Sequence, residues 1–165
     1  MRILGVDCGS RVTGYGVIET GTDSYRYVDC GAIRTKVSDP LALRLQTIHA
    51  GLQEIIRDHT PDVAAFENIF HAANVQSALK LGHARGVSLF AAAQAGLPVY
   101  EYSALQVKSA VTGYGRAEKT QVQQMVRSLL RLAEVPEPHD ASDALAVAIC
   151  HAQSYKFEEA TAIRD

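Results

Sequence analysis

Runs of hydrophobic residues, broken by glycines and polar residues, predict three strands within residues 2–34. Residues 2–7 form a short and almost continuous apolar run, which is typical of a buried strand. Residues 13–20 and 25–34 mix apolar and polar positions, and turn-forming residues separate them from their neighbours. We therefore expect three consecutive strands before the first helix.

The hydrophobic pattern then changes to helical spacing. After Asp39 and Pro40, leucines and isoleucines recur at helical intervals until about His59, and Pro61 ends this helix. The apolar residues 63–66 predict a fourth strand. The later elements, predicted in the same way, are a helix at 74–95, a strand at 98–102, helices at 103–112 and 118–132, and a last helix at 140–155. The polar residues 156–165 would then form a C-terminal tail.

This order of elements predicts a mixed α/β sheet of five strands flanked by helices, in a single domain over residues 1–155. If the helix at 40–59 returns the chain so that the fourth strand runs parallel to the first, Asp7 and Glu67 end neighbouring strands. Sites in open α/β sheets form at the carboxyl ends of strands. That arrangement would place both acids in a site, although the hydrophobic pattern alone does not establish it.

The composition indicates a globular protein of ordinary domain size, because 47% of the 165 residues are hydrophobic and 21% are charged. No apolar run has the length of a membrane span, and the first residues lack the pattern of a signal peptide. The three cysteines lie far apart without a CxxC pair, which favours a reducing compartment over a disulfide framework. We therefore expect a cytoplasmic protein.

Charge is distributed unevenly along the chain. The net charge is −2, which argues against a generic nucleic-acid binder. Residues 74–131, however, hold seven lysines and arginines against two acids, and the rest of the chain holds nine against sixteen. The basic residues of this middle segment are Lys80, Arg85, Lys108, Arg116, Lys119, Arg127 and Arg131. A basic surface beside acidic residues fits a polyanion held against a metal site. A solvated basic helix face explains the charge alone equally well.

Four acidic residues lie at the ends of apolar runs, at positions that a fold could bring close together. Asp7 and Glu67 each end an apolar run, and Asp140 and Asp143 open the apolar run at 144–149. Hard divalent cations prefer oxygen ligands such as these carboxylates. The four acids together therefore indicate metal-assisted phosphate chemistry.

Each acid also has an ordinary structural explanation. Asp7 precedes the turn-like residues 8–10, where Asp is common, and Asp140 with Asp143 resembles a capping box at a helix start. For that pair alone, plain capping is the favoured interpretation. Glu67 directly follows a buried run, where an unpaired acid is rare. The joint occurrence of all four acids favours a metal site.

Other motifs narrow the chemistry further. The six histidines show no zinc-like spacing, and neither a Gly-Lys-Ser phosphate loop nor a Gly-x-Ser-x-Gly elbow is present. His139 is adjacent to Asp140 and is a candidate proton donor, or a group that orients the acids.

In several stretches the sequence resembles the RuvC-type Holliday junction resolvases. These stretches are GVD at 5–7, GSRVTGYGVI at 9–18, IRTK at 33–36, ENIF at 67–70, SALKLGHARGV at 77–87, AEK at 117–119 and DASDALA at 140–146. They follow one another in order through most of the chain, so the resemblance is specific. Cys8 departs from the pattern, because family members often have proline there, and the net acidity is also unusual.

The resemblance implies a ribonuclease-H-like fold and a homodimeric endonuclease that cuts four-way DNA junctions in recombination and repair. It implies phosphodiester hydrolysis with two Mg²⁺ ions per subunit, which Mn²⁺ would be able to replace. The four acids are then the metal-binding and catalytic residues. Phe70 matches an aromatic residue that wedges against bases, with core packing as the alternative, and Lys108 and Lys119 match lysines that contact the DNA backbone. The RuvA–RuvB branch-migration complex is the implied partner.

Two further surfaces are predicted from the residues themselves. Lys80, Arg85 and Arg116 would join the lysines on DNA, and the loop at 112–116 would either contact the junction or only connect two helices. The helix at 74–95 carries small or apolar residues along one side, which would pack within the fold or against a second subunit. The residues of this predicted dimer interface are Ala78, Gly82, Gly86 and Phe90.

Three other functions compete with this interpretation. An actin-like or sugar-kinase ATPase would share the Asp-x-Gly turn that begins at Asp7, but it would need a second lobe to enclose a nucleotide. A non-catalytic junction-binding module would keep the basic surface without using the acids. A related nuclease would act on another substrate, such as structured RNA.

Overall fold

A five-stranded mixed sheet forms the centre of the protein in the computed structural model. The structure describes residues 1–21, 24–68 and 74–162, and side chains as far as residue 155. The strands are β1 (Arg2–Asp7), β2 (Val12–Thr20), β3 (Tyr25–Arg34), β4 (Val63–Asn68) and β5 (Val99–Ser103). The helices are α1 (Leu41–His59), α2 (Val75–Gln94), α3 (Ala104–Thr112), α4 (Lys119–Leu129) and α5 (His139–Ala162). The predicted fold class is therefore confirmed.

The strand order places the ends of β1 and β4 side by side. The order across the sheet is β3-β2-β1-β4-β5, with β2 antiparallel to both β1 and β3. β4 runs parallel to β1, with Val6 opposite Phe66, and β5 runs parallel to β4. Asp7 and Glu67 are the next residues along these two parallel strands. They consequently emerge at the same edge of the sheet, as the sequence predicted.

Helices cover both faces of the sheet. On one face, Ile3 and Ala65 belong to a buried cluster that includes Leu145 of α5 and residues of α3 and α4. On the other face, Leu4 and Phe66 pack with residues of α1 and α2. Each strand thus alternates its side chains between two hydrophobic cores, as a sheet buried on both faces requires.

Helix α5 is longer than predicted. It begins at His139 and continues to Ala162, whereas the sequence pattern ended it near residue 155. Residues 156–162 contain neither glycine nor proline and include good helix formers, so the backbone can continue the helix although its polarity resembles a tail. The division into a nuclease domain and a tail stays a prediction. Among the helices of the described ranges, none is long and apolar enough to cross a membrane.

Candidate active site

Asp7 and Glu67 point to the same face of the sheet. Ile3 and Ala65, which lie an even number of positions before these two acids, pack into the cluster that contains α5. Successive side chains of a strand point to opposite faces, so both carboxylates lie on the α5 face. Two acids from neighbouring parallel strands therefore approach the N-terminal end of α5.

Helix α5 brings two more acids to this face because it lies directly against the main chain of β1 and β2. A Cβ atom on Gly14 would overlap the carbonyl oxygen of Asp140, and one on Gly5 would overlap that of Ala144. Only glycine permits an approach this close. Asp140 and Asp143 are three residues apart in α5 and therefore share one side of the helix.

The structure contradicts the capping interpretation of this pair. α5 already begins at His139, and the carbonyl of Pro138 accepts main-chain hydrogen bonds from the first turn. Asp140 therefore lies inside the helix and not at the capping position before it. Asp143 accepts a hydrogen bond from the ammonium of Lys119 at 2.6 Å. The capping interpretation was wrong because the helix begins one residue earlier than the apolar pattern indicates.

The pKa of Asp7 shows that the four carboxylates are close enough to repel one another. This pKa is raised from its ordinary value of 3.8 to about 7. Burial is the largest cause, the negative charges of Asp143, Glu67 and Asp140 add to it in that order, and Lys119 opposes them. The charges of all three other acids therefore act on Asp7.

Glu67 experiences a similar environment at the end of β4. Burial raises its pKa, the charge of Asp143 adds to the rise, and Lys108 and Lys119 oppose it. Lys119 has a raised pKa itself, first of all because of its hydrogen bond to Asp143. The side chain of Lys119 is 60% exposed, so its ammonium lies between the acids and solvent. Positive charge is therefore attracted to this cluster.

An open pocket of about 210 Å³ lies beside the acids. Its charged lining comes from Glu67, Asp143, Lys108 and Lys119. The remaining lining residues are Ala104, Val107, Val122 and Ala146. A phosphate group would meet two lysines there, next to carboxylates able to hold cations.

The donor chemistry of the site fits divalent metal ions. All four acids supply oxygen ligands, and a raised pKa under mutual repulsion is what bound cations would relieve. Among the residues described, no group of three His, Cys, Asp or Glu side chains lies close enough together to hold an ion. The fit therefore rests on the chemistry and charge of the acids, with Lys119 as the positive group already present.

The other predicted DNA contacts differ in exposure. Lys80 and Arg116 are exposed, and Lys108 is partly buried at the pocket. Arg85 differs from them, because its side chain is only 18% exposed and forms an ion pair with Glu101. Phe70 lies outside the described residues.

His139 lies close to the acids along the chain but bonds to a neighbouring helix. Gln123 of α4 donates a hydrogen bond from Nε2 to Nδ1 of His139 at 3.0 Å. Gln123 is buried, so this bond ties the first residue of α5 to α4. No role in proton transfer follows from it.

The residues predicted to form a dimer interface lie on the exposed face of α2, and their role stays a prediction. Ala78, Gly82, Gly86 and Phe90 are all exposed, and the side chain of Phe90 is 58% exposed. A Cβ atom on Gly82 or Gly86 would meet nothing within 4 Å. These glycines therefore serve no close contact within the described subunit.

Sequence reasoning missed the glycines that allow α5 to pack closely against β2. Gly14 and Gly16 alternate in β2 and so face the same helix, and a Cβ on Gly16 would lie 2.7 Å from the side chain of Leu145. Two glycines at alternate strand positions are a sequence signal for a close approach of another element. The contacts of Arg85 were missed as well, since they join residues far apart in sequence.

Fold and site together define a ribonuclease-H-like α/β domain with an acid cluster at the carboxyl ends of two strands. Residues 3–151 match the family model described as crossover junction endodeoxyribonuclease RuvC. The chain is 54% identical over 158 residues to the protein of that name from Pelotomaculum thermopropionicum, covering 96% of each chain. It is 57% identical over 159 residues to that from Syntrophotalea carbinolica, covering 96% of this chain and 98% of the relative.

A solved structure shows the same architecture. The chain superposes with a TM-score of 0.91, at 36% identity and 96% coverage of both chains, on T. thermophilus RuvC in complex with Holliday junction substrate. The chain therefore belongs to the RuvC family of crossover junction endodeoxyribonucleases. The predicted family and enzyme class are confirmed.

Proposed function

We propose that this protein is a homodimeric, metal-dependent endonuclease that resolves four-way DNA junctions by paired nicks in two opposed strands. The observation that carries the proposal is the cluster of four carboxylates from β1, β4 and α5, in which the pKa of Asp7 is raised to about 7. Two lysines border the adjoining pocket. The solved relative bound to a Holliday junction supports the choice of substrate.

Asp7, Glu67, Asp140 and Asp143 would hold the cations, Mg²⁺ being the natural choice and Mn²⁺ a substitute. Asp7 would be shared by both ions, because the other three acids all influence it. Glu67 would complete one site, and Asp140 and Asp143 the other. When bound, such ions activate water and stabilise the leaving oxygen in phosphodiester hydrolysis.

The protein's own residues would bind and orient the scissile strand. Lys108 and Lys119, which both line the pocket, would attract a phosphate towards the acids. Lys119, which now bonds to Asp143, would instead donate to the phosphate. Burial of Asp7 and Glu67 would keep competing water away from their oxygens.

The junction arms would extend from this pocket across the basic part of the surface. Lys80 and Arg116 are exposed, and Tyr114, in the loop between α3 and α4, is 58% exposed. Lysine and arginine contacts with phosphates would supply most of the affinity and make it dependent on salt. We further propose that Phe70 contacts bases, and that the RuvA–RuvB complex is the partner, both on the family resemblance.

A homodimer would place two such sites on the two opposed strands of a junction. The exposed face of α2 is the proposed interface, because its open glycines permit another helix to come close. Nearby Phe90 would supply apolar area to the contact.

A mobile four-way DNA junction tests the proposal. The protein is incubated with it in Mg²⁺ or in chelator, and the nicks are mapped on all four strands. We expect symmetric nicks in two opposed strands, only when metal is present. Tight binding without nicks in both conditions would instead support a non-catalytic binding module, and nicks in structured RNA alone would support a different substrate.

A further inference from the structure

Arg85 of α2 makes two polar contacts at the far side of the sheet from the acids. Its Nη2 atom donates a hydrogen bond to Oδ1 of Asn68 at 2.8 Å, and the same atom forms a close ion pair with Oε2 of Glu101. Asn68 is the last residue of β4, and Glu101 lies in β5. The guanidinium therefore bridges two neighbouring parallel strands.

The contacts of Arg85 with Asn68 and Glu101 lie on the face of the sheet opposite to the Glu67 side chain. Asn68 follows Glu67 in the strand, so its side chain points to the opposite face, where α2 packs. Glu101 is paired with Phe66, whose side chain also belongs to the α2 side of the sheet. Arg85 thus holds the strand end that carries Glu67, from the face opposite to the cluster of acids.

The surroundings of Arg85 make it a poor contact for DNA. Its side chain is 18% exposed, and its Nε atom is buried without a hydrogen-bond partner among the described residues. Glu101 already offsets its positive charge. Lys80, on the same helix, is exposed, as a contact with a phosphate requires.

Arginine suits this bridging position for a geometric reason. Its planar guanidinium has several N–H donors in a fixed fork, so it can satisfy an amide oxygen and a carboxylate at the same time. Lysine would carry the same charge, but it presents a single rotatable ammonium. Side-chain bonds of this kind restrain the end of a strand in addition to its main-chain pairing with β5.

We propose that Arg85 is a positioning residue, which holds the end of β4 so that Glu67 faces the other three acids. This inference rests on the proposed nuclease function. Arg85 then contributes to the rate of cutting and not to the affinity for the junction.

The test compares Arg85→Met with Lys80→Met, which removes a positive charge from the exposed part of the same helix. Three quantities are measured for each: the junction Kd across a range of salt, the single-turnover nicking rate at saturating protein, and the exchange rates of the Glu67 and Asn68 amides without DNA or metal. For Arg85→Met we expect a saturated nicking rate reduced at least about tenfold, a Kd within about threefold of wild type, and faster amide exchange. For Lys80→Met we expect weaker binding with a shallower salt dependence, and unchanged amide exchange.

Glu101→Gln separates positioning from DNA contact without removing the arginine. If Arg85 positions Glu67, this variant also slows the saturated nicking rate and speeds amide exchange. If Arg85 instead binds DNA, freeing it from Glu101 tightens junction binding and leaves the saturated rate unchanged, which would overturn the proposal. Arg85→Lys keeps the charge and provides a folded alternative should Arg85→Met not fold, with the same slower nicking expected.

Failure of the nuclease function is distinguishable from failure of this inference. A wild-type protein that does not nick any junction would contradict the proposed function. The exchange rates of the Glu67 and Asn68 amides in Arg85→Met would still show whether the contacts of Arg85 hold the end of β4. Normal exchange and normal saturated nicking in Arg85→Met, beside an active wild type, would contradict the positioning role alone.

Discussion

The α-carbon of Gly14 in β2 faces the main-chain carbonyl of Asp140 in α5, with no room for a side chain between them. This contact sets the distance between the first turn of α5 and the sheet. Asp140 and Asp143 both lie in that part of the helix, opposite Asp7. The position of Asp140 and Asp143 relative to the sheet therefore depends on a glycine of a different element.

Gly14→Ala should separate the acids. The new methyl group would overlap a main-chain oxygen, which cannot move aside as a flexible side chain can. We expect a loss of about 1–3 kcal/mol in the free energy of unfolding, as for overpacked cores, and a strongly reduced nicking rate. Denaturant unfolding and single-turnover nicking measure the two effects.

Gly21→Ala is the matched control for that variant. A Cβ atom at Gly21 would lie 3.8 Å from its nearest neighbour, an ordinary contact, and Gly21 lies beyond the other end of β2. It should leave nicking unchanged. Equal nicking rates for Gly14→Ala and Gly21→Ala would show that the close packing of α5 against β2 does not determine the activity.

The metal-free protein should lose stability as the pH rises. The pKa of Asp7 is about 7 in the folded protein and near its ordinary 3.8 when unfolded, so the folded state binds an extra proton between these values. The stability linked to this proton is complete below about pH 3.8 and is lost as the pH rises through about 7. Asp7→Asn removes this dependence.

Thermal unfolding in chelator at pH 5 and pH 8 checks this expectation. The Tm difference between Asp7→Asn and wild type should shift in favour of the variant from pH 5 to pH 8, because the variant has no carboxylate to ionise at this position. Mg²⁺ should raise the Tm of the wild type at pH 8 more than that of the variant. A constant Tm difference at both pH values would mean that the Asp7 carboxylate is not destabilised by its neighbours.

Gly82→Leu should convert the proposed dimer to a monomer. A side chain at this position meets nothing within 4 Å inside the subunit, so the fold itself should tolerate leucine. Sedimentation velocity measures the oligomeric state, and circular dichroism confirms that the variant is folded. Gln124→Leu adds the same side chain to the exposed face of α4 and should remain dimeric. If Gly82→Leu is still dimeric, this face of α2 is not the interface.

The fold and the four acids could be predicted because their signals are local. Asp7 and Glu67 each end an apolar run that forms a strand, and the crossover through α1 makes the two strands parallel. Helix α5 was misjudged at both ends, because helix boundaries depend on main-chain bonds such as those to Pro138 and not on polarity.

The bridge at Arg85 could not be predicted in the same way. Asn68 and Glu101 are 17 and 16 residues away from it in sequence. The contacts of Arg85 with these two residues depend on the register of β4 with β5 and on how α2 packs across both strands. Sequence alone showed only a basic residue in a basic stretch, for which contact with DNA is the simplest interpretation.

The central claim is that Asp7 and its three neighbours perform the cutting while other residues bind the junction. It is tested most directly by Asp7→Asn, with Asp58→Asn of α1 as a control that removes the same charge from outside the site. Single-turnover nicking of a mobile junction in Mg²⁺ and the junction Kd in chelator are measured together. We predict a nicking rate reduced by about 10³-fold, because several kcal/mol of charge stabilisation in the transition state is lost, and a Kd close to wild type. Cutting by Asp7→Asn at the rate of Asp58→Asn would contradict the account.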